Sequence, residues 1–580
     1  MTGTLKHLAR WLRRRSRASE AIFILVAIGV GAVAGLLTIL IGAIARTLQH
    51  WFYALPPDTR LSQLPVISGP ILLLLPLGGA LLSLFTFVTR ARRRAMVDAV
   101  EANALHGGRM SVRDSLIISG QTALSNGIGA SVGLEAAYAQ LGGAAASFAA
   151  GLLNLRRKDR RDLVGAGAGA AIAAAFGAPL AGAFYAFEIV IGAYSPSAIA
   201  PVASAALAGA LVAQGLGVQP YVLQTSSGTA IETHHYLLYA LLGAICALFG
   251  IAMMRAVAVI ERASRRSKLP EWARPIAGGA LLMPIAMLTP QVLSAGHGAL
   301  HVDLALGASL SFILAILLAK SAASVVSLGF GFRGGLFFAS LFLGTLLGHL
   351  FAGSLALIAG HPLVDPINAA LVGMAALAVA VVGGPMTMAM LVLEATDNFA
   401  LTGAVIAASL VSSTIVRELF GYSFSTWRLH LRGETIKSAR DVGWVRTLTA
   451  AEMMRRDTRA TPAMISVAGF RSLFPLGSAS WAALTDKDDH YVGLVPIAAA
   501  YAEGVAMDAP IRQLAVNADA ALTPDLDIAQ IMRRFDAAQT DELAVLDGEG
   551  RVVGRLSESF VRRRYAEELE KAQRELFGEV

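Results

Sequence analysis

Ser125-Asn-Gly-Ile-Gly-Ala-Ser-Val-Gly-Leu-Glu-Ala-Ala-Tyr-Ala-Gln-Leu-Gly-Gly143 holds a single charged residue, Glu135, in an otherwise apolar and small-residue stretch. Gly127, Gly129 and Gly133 stand just before it and favour a break in any helix that runs through. A helix that restarts at Glu135 presents free backbone N–H groups and a partial positive charge at its first turn. Such a terminus binds anions. A carboxylate tethered beside it can occupy the anion position itself. Protonating the carboxylate, or displacing it with a mobile anion, would then open the position. The stretch therefore predicts a broken helix with a gate, and Gly127, Gly129 and Gly133 are candidate anion-lining backbone positions.

Outward from this segment, charge-free windows recur at 21–45, 61–89, 163–187, 233–254, 275–302 and 366–393. A membrane-spanning helix needs about 20 apolar residues. Other windows are interrupted by Gly, Pro or one charge, which predicts short, broken or re-entrant helices. The whole 580-residue chain is 55% hydrophobic and 15% charged, with a mean hydropathy of +0.61. Soluble domains are about 25% charged. The shortfall excludes an ordinary cytosolic enzyme and excludes disorder. The 57 glycines are read mainly as small residues that let membrane helices pack closely.

Charge divides along the chain. Residues 1–440 hold 32 Lys+Arg against 18 Asp+Glu, and residues 441–580 hold 16 against 22. The basic residues sit in short clusters between apolar stretches, as the positive-inside rule describes, so no nucleic-acid partner is expected. The basic N-terminus 1–20 and the clusters Arg90–Arg94, Arg156–Arg161 and Arg262–Lys268 are expected to face the cytoplasm. The first apolar stretch is too long for a signal sequence and reads as a membrane helix. The chain is expected in a lipid bilayer, the cell inner (plasma) membrane being the expectation though not a consequence of these charges, with both termini cytoplasmic. Arg93 and Arg94 either draw anions towards a vestibule or anchor topology.

Few groups at membrane depth can carry chemistry. Glu135, Glu188 and Glu394 lie in long apolar stretches, with Lys320 and Arg333 as basic counterparts. Each Glu is either functional or a structural hydrogen-bonding group. The single Cys246 excludes an intrachain disulfide and a Cys-based metal site. His234 and His235 beside Glu232 read as a solvated loop pair rather than a metal site. No catalytic triad, metal cluster or phosphate loop is found, so no enzyme, cofactor or metal is expected.

Beyond residue 440 the pattern changes to mixed polarity. Asp541-Glu-Leu-Ala-Val-Leu-Asp-Gly-Glu-Gly-Arg-Val-Val-Gly554 reads as a β-hairpin about an Asp-Gly-Glu-Gly turn, and Ile528–Phe535 as an amphipathic helix. Residues 446–506 and 507–570 look like two copies of one module, with Tyr491-Val-Gly-Leu-Val495 and Val552-Val-Gly-Arg-Leu556 in matching places.

Four ordered motifs resemble those of the CLC chloride channels and transporters. Gly133-Leu-Glu-Ala-Ala-Tyr-Ala-Gln-Leu-Gly-Gly143 is similar to the family's G-(K/R)-E-G-P-x-x-Q-x-G-G. Ala173-Ala-Ala-Phe-Gly-Ala-Pro-Leu-Ala-Gly-Ala-Phe-Tyr-Ala-Phe-Glu188 is similar to A-A-A-F-x-A-P-L-A-G-x-x-F-x-x-E. Gly334-Gly-Leu-Phe-Phe-Ala-Ser-Leu-Phe-Leu-Gly344 and Pro385–Thr396 resemble G-G-x-F-x-P-x-L-x-x-G and P-L-T…E-x-T. The resemblance implies an all-α polytopic membrane bundle of inverted repeats with broken helices over 21–435. It implies a homodimer with one pathway per subunit for chloride or a related small inorganic anion. Glu135 falls on the gating glutamate, the backbone at Leu336 and Phe337 on the central anion site, and Glu188 on the family's glutamate after A-P-L-A-G. The tail resembles a cytoplasmic α/β CBS pair, a fold that often binds adenine nucleotide. Here Ser557-Glu-Ser-Phe-Val561 lacks the family's ribose-binding Asp, and subunit contact is the expected role.

The departures from the pattern bear on mechanism. Arg93-Arg-Ala-Met-Val97 stands where the family has G-S-G-I-P. Leu134, Ala136 and Ala137 replace the basic residue and the Gly-Pro around the gate, and Ala339 replaces a Pro. Ser425 falls at the family's central tyrosine. Ile189 occupies the place where many exchangers carry a proton-bearing glutamate, and it cannot hold a proton. The expectation is passive anion conduction gated by Glu135, possible voltage gating included. The alternatives are a chloride/proton antiporter and, from another class, a CBS-regulated cation transporter or a transport-inactive CBS-bearing sensor.

Overall fold

The computed structural model describes residues 19–56, 59–67, 69–89, 97–217, 231–299, 309–430, 448–456 and 460–577. They fall into two compact units, Met1–Asp441 and Val442–Val580, each described by itself. The expectations for residues 1–18, for Arg93 and Arg94 and for most of the segment Arg93–Val97 lie outside the described residues.

The first unit is helical. In chain order its helices are α1 (Glu20–Tyr53), α2 (Leu74–Thr89), α3 (Ala99–Leu105), α4 (Val112–Gly127), α5 (Glu135–Leu152), α6 (Arg157–Phe176), α7 (Pro179–Tyr185) and α8 (Pro196–Gly215). There follow α9 (His235–Arg266), α10 (Arg274–Leu288), α11 (Leu310–Gly329), α12 (Phe337–Ala359), α13 (Pro366–Val382), α14 (Pro385–Thr396), α15 (Phe399–Leu419) and α16 (Phe424–His430). Among the described residues seven helices are long and apolar enough to cross a membrane. Pro179–Ile191, Pro366–Val382 and Pro385–Thr396 are shorter apolar helices, as expected from the interrupted windows. Proline stands in the first turn of α7, α8, α13 and α14, where its missing N–H costs no helical hydrogen bond.

The unit is built from two inverted repeats, which meet at two matching segments. Ser125-Asn-Gly-Ile-Gly-Ala-Ser-Val-Gly-Leu134 and Ser327-Leu-Gly-Phe-Gly-Phe-Arg-Gly-Gly-Leu336 repeat Ser, three Gly and Leu at one spacing. Helices α4 and α11 stop at Gly127 and Gly329, and α5 and α12 begin after Leu134 and Leu336. Gly129 and Gly331 both take left-handed backbone (φ +93° and +99°), which lets each chain turn out of its helix. The two crossings then bond reciprocally. Gly133 N–H donates to Gly335 O (2.9 Å), and Gly335 N–H donates to Gly133 O (3.3 Å). Ser131 N–H donates to Ser327 Oγ (2.9 Å), and Arg333 N–H donates to Ser125 Oγ (3.1 Å). Buried backbone in lipid must find partners, and here each irregular segment satisfies the other.

The same reciprocity fixes the short helices. Glu188 accepts from Met386 N–H (3.1 Å), Thr387 N–H (2.8 Å) and the Thr387 hydroxyl (2.7 Å) at the start of α14. Glu394 accepts from Leu180 N–H (2.7 Å) and Ala181 N–H (2.9 Å) at the start of α7. Of the two readings open for these glutamates, the structural one describes what their carboxylates do: each neutralises a helix N-terminus of the other repeat.

The second unit is α/β. Strands β1 (Ala460–Pro462), β2 (Trp481–Thr485) and β3 (Tyr491–Pro496) form one sheet, and β4 (Ala521–Leu522), β5 (Glu542–Leu546) and β6 (Val552–Ser557) form a second. Each pairs parallel then antiparallel, with Ala460 opposite Ala483 and Ala521 opposite Ala544 in equivalent registers. The hairpin about Asp547–Gly550 is present, and the helix expected at Ile528 runs to Ala538. The leading segments cross over. Leu448, Ala450 and Met453 pack into the core of Ile528, Phe535 and Val545, while Ile511 packs with Val467 and Phe470. The two modules therefore share their cores rather than standing in line.

Candidate functional site

Glu135 is the first residue of α5, and the residue is 2% exposed. It folds back over the Cα of Gly133, where a side chain of any size would collide with Oε2. The carboxylate faces the backbone amides of Glu135 itself and of Phe338 in the first turn of α12, yet neither oxygen closes a hydrogen bond. Two helix N-termini, α5 and α12, thus converge on one carboxylate from opposite repeats. Each brings about half a positive charge.

Of the expected lining positions, Leu336 is the N-cap of α12 and Phe337 its first residue, both buried. Their first-turn amides have no partner within their own helix. The glycines differ from expectation. The Gly129 N–H is taken by Asn126 O (3.0 Å) and the Gly133 N–H by Gly335 O. Gly127 packs against Leu48. Gly129 spends its donor on the local turn and Gly133 on the other repeat, which leaves the anion-facing amides to the helix starts.

Ser425, in the first turn of α16, does not meet Glu135. It lines a separate cavity of about 210 Å³ with Glu188, Ile189, Gly383, Gly384, Arg417 and Tyr422. Ile189 presents an apolar side chain there, beside Gly383 and Gly384. Aromatic rings cluster about the first turn of α12. The Phe337 ring lies 5.3 Å from that of Phe176 and 6.2 Å from that of Tyr185, and Phe176 stacks on Phe338 at 6.4 Å.

Apart from Lys320, which the sequence already marks as a cation at membrane depth, several groups at the site escaped the sequence reading. His297 Nε2 lies 3.9 Å from Glu135 Oε1, and its ring lies 3.7 Å from the Phe338 ring. Lys320 is fully buried and donates to Val292 O (3.0 Å) and Ser294 O (2.8 Å), which pins the segment that carries His297. Gln49, Asn126 and Ser294 form a polar knot under it, with Gln49 Nε2 donating to Ser294 Oγ (3.1 Å) and Asn126 Oδ1 (3.1 Å). Asp98 caps α3 by accepting from Glu101 N–H (2.8 Å). The internal repeat was visible as the Ser-x-Gly-x-Gly spacing, and His297 as a polar residue in the window 275–302. The others needed coordinates.

Elsewhere, Arg262, Arg265, Arg274, Arg333 and Arg428 line a cavity of about 1010 Å³. His235 Nδ1 accepts from Glu232 N–H (3.0 Å) and His234 lies 3.4 Å from the Glu232 carboxylate, so this trio closes on itself as a loop.

Residues 78–417 match the family model described as voltage gated chloride channel. The chain is 28% identical over 354 residues to a voltage-gated ClC-type chloride channel ClcB of Escherichia coli O139:H28, covering 61% of this chain and 84% of that one. It is 27% identical over 303 residues to an H(+)/Cl(-) exchange transporter ClcA of Vibrio campbellii, covering 51% and 64%. A crystal structure of a eukaryotic CLC transporter matches 95% of this chain and 98% of that one, with a TM-score of 0.60 at 17% identity.

Proposed function

This chain belongs to the voltage-gated chloride channel family, and on that premise we propose that it conducts chloride passively, one pathway per subunit, with the Glu135 carboxylate as gate. The observation that carries the reading is the buried carboxylate without a hydrogen-bond partner at the meeting of two helix N-termini. Such a position suits an anion, because preorganised backbone donors replace water without charged side chains. The tethered carboxylate and a chloride ion compete for it. When Glu135 is protonated or swings away, chloride takes the amides of α5 and α12 and passes the aromatic cluster to the Ser425 cavity.

Ile189 supports uncoupled movement: beside the Ser425 cavity it offers no proton acceptor. Relatives are named both as channel and as exchanger, and exchange is the rival reading. By the positive-inside rule the Ser19 end of α1 faces the cytoplasm and its Tyr53 end the outside. The chain acts as a homodimer, and its tail serves subunit contact rather than adenine nucleotide binding. The direct test is chloride efflux from proteoliposomes holding the purified full chain. Efflux well above that of protein-free vesicles is expected. Vesicles that hold their chloride, also with Glu135→Ala, would overturn the proposal.

A further inference from the structure

Next to the gate lies a cavity of about 30 Å³, lined by Arg46, Gln49, Arg60, Ser62, Asn126, Leu134, Ser294 and His297. That volume has room for a water or two. His297 stands between this cavity and Glu135. It lines the cavity, and its Nε2 lies 3.9 Å from Glu135 Oε1. The segment is held at three points: Lys320 bonds the carbonyls of Val292 and Ser294, Gly298 N–H donates to Ser62 Oγ (3.0 Å), and the Phe338 ring lies tilted against the imidazole. A histidine merely filling space needs no such fixed aim at a buried carboxylate.

We propose that His297 is the group that passes protons between the outer cavity and Glu135, so that acid on that side opens the anion gate. The inference rests on the reading of Glu135 as gate. The step is a simple transfer. The Nε2–H bond of the imidazolium breaks, an Oε1–H bond forms on Glu135, and the neutral imidazole then regains a proton from water or hydronium in the cavity. Only a small approach is needed to bring 3.9 Å to hydrogen-bond reach. The neutralised carboxylate no longer competes for the helix N-termini, and chloride enters.

The charged groups around His297 are Glu135 from α5, Lys320 from α11, Arg46 from α1 and Arg60 from the loop that follows. Lys320 is committed to two carbonyls. Arg46 and Arg60 lie at the cavity and attract chloride towards it. Glu135 is the carboxylate within reach of the ring.

The test is an external pH jump on chloride-loaded proteoliposomes, with efflux followed in real time. Wild type should open on acidification. His297→Gln and His297→Asn should open at least about tenfold more slowly, the scale of a lost proton-transfer group. Glu135→Gln should conduct without regard to pH, and Glu135→Gln/His297→Gln should conduct like it, which shows that the histidine variant folds. Wild-type opening rates in both histidine variants would overturn the inference and leave the gate intact. A double variant that fails where Glu135→Gln conducts would also overturn it, assigning His297 to packing. A wild-type pH response in Glu135→Gln would instead overturn the gate itself.

Discussion

Replacing Glu135 by Gln removes a tethered competitor from the anion position, and the structure sets the scale of the effect. Two helix N-termini, those of α5 and α12, face the carboxylate. A helix terminus is worth up to about 2 kcal/mol to an anion in a partly buried setting and about 1 kcal/mol more typically. Two termini therefore give the carboxylate about 2–4 kcal/mol, which chloride must overcome to displace it. At about 1.4 kcal/mol per decade this is thirtyfold to several hundredfold in apparent chloride affinity. Titration calorimetry of the purified full chain with chloride should show that tightening in Glu135→Gln, and binding should lose its dependence on pH. An affinity within twofold of wild type, with pH dependence intact, would refute the idea that carboxylate and chloride share one position.

Other consequences can be checked in the same preparations. Gly133→Ala should mimic Glu135→Gln, since a methyl group at Gly133 expels the carboxylate, and adding it to Glu135→Ala should change chloride affinity little further. Glu188→Ala leaves two amides and a hydroxyl at the start of α14 without their acceptor and should cost about 1–3 kcal/mol, read as a lower thermal midpoint in detergent. Glu394→Ala should do the same at the start of α7. In the tail, Asp486 and Asp547 hold their carboxylates below the usual range through turn amides, first those of His490 and Arg551. A lowered folded-state value means stability that is present above the ordinary Asp range and lost as pH falls through the folded one. The tail's thermal midpoint should fall over that acid window, and less so in Asp547→Asn.

The broken helix was legible because glycines and a lone carboxylate are local signals: Gly129 must turn and Glu135 must answer for its charge. The hairpin at Asp547 was legible for the same reason. What escaped depends on pairing across the chain. Glu188 looks like a functional acid until α14 is placed over it, and Gly133 looks like an anion ligand until Gly335 takes its N–H. Ser425 and Glu135 share the expectation of one pathway, but the cavity that Ser425 lines does not include Glu135. His297 reaches the gate on a segment tied down by Lys320 and Ser62. Such relations join residues far apart in sequence and leave no mark in local spacing.

Passive conduction past Glu135 is tested most directly by recording chloride efflux and external pH together from one population of chloride-loaded proteoliposomes. Chloride should leave with no opposed, stoichiometric movement of protons. Proton uptake or release locked to chloride efflux at a fixed ratio, and abolished in Glu135→Gln, would contradict the account and make this chain an exchanger.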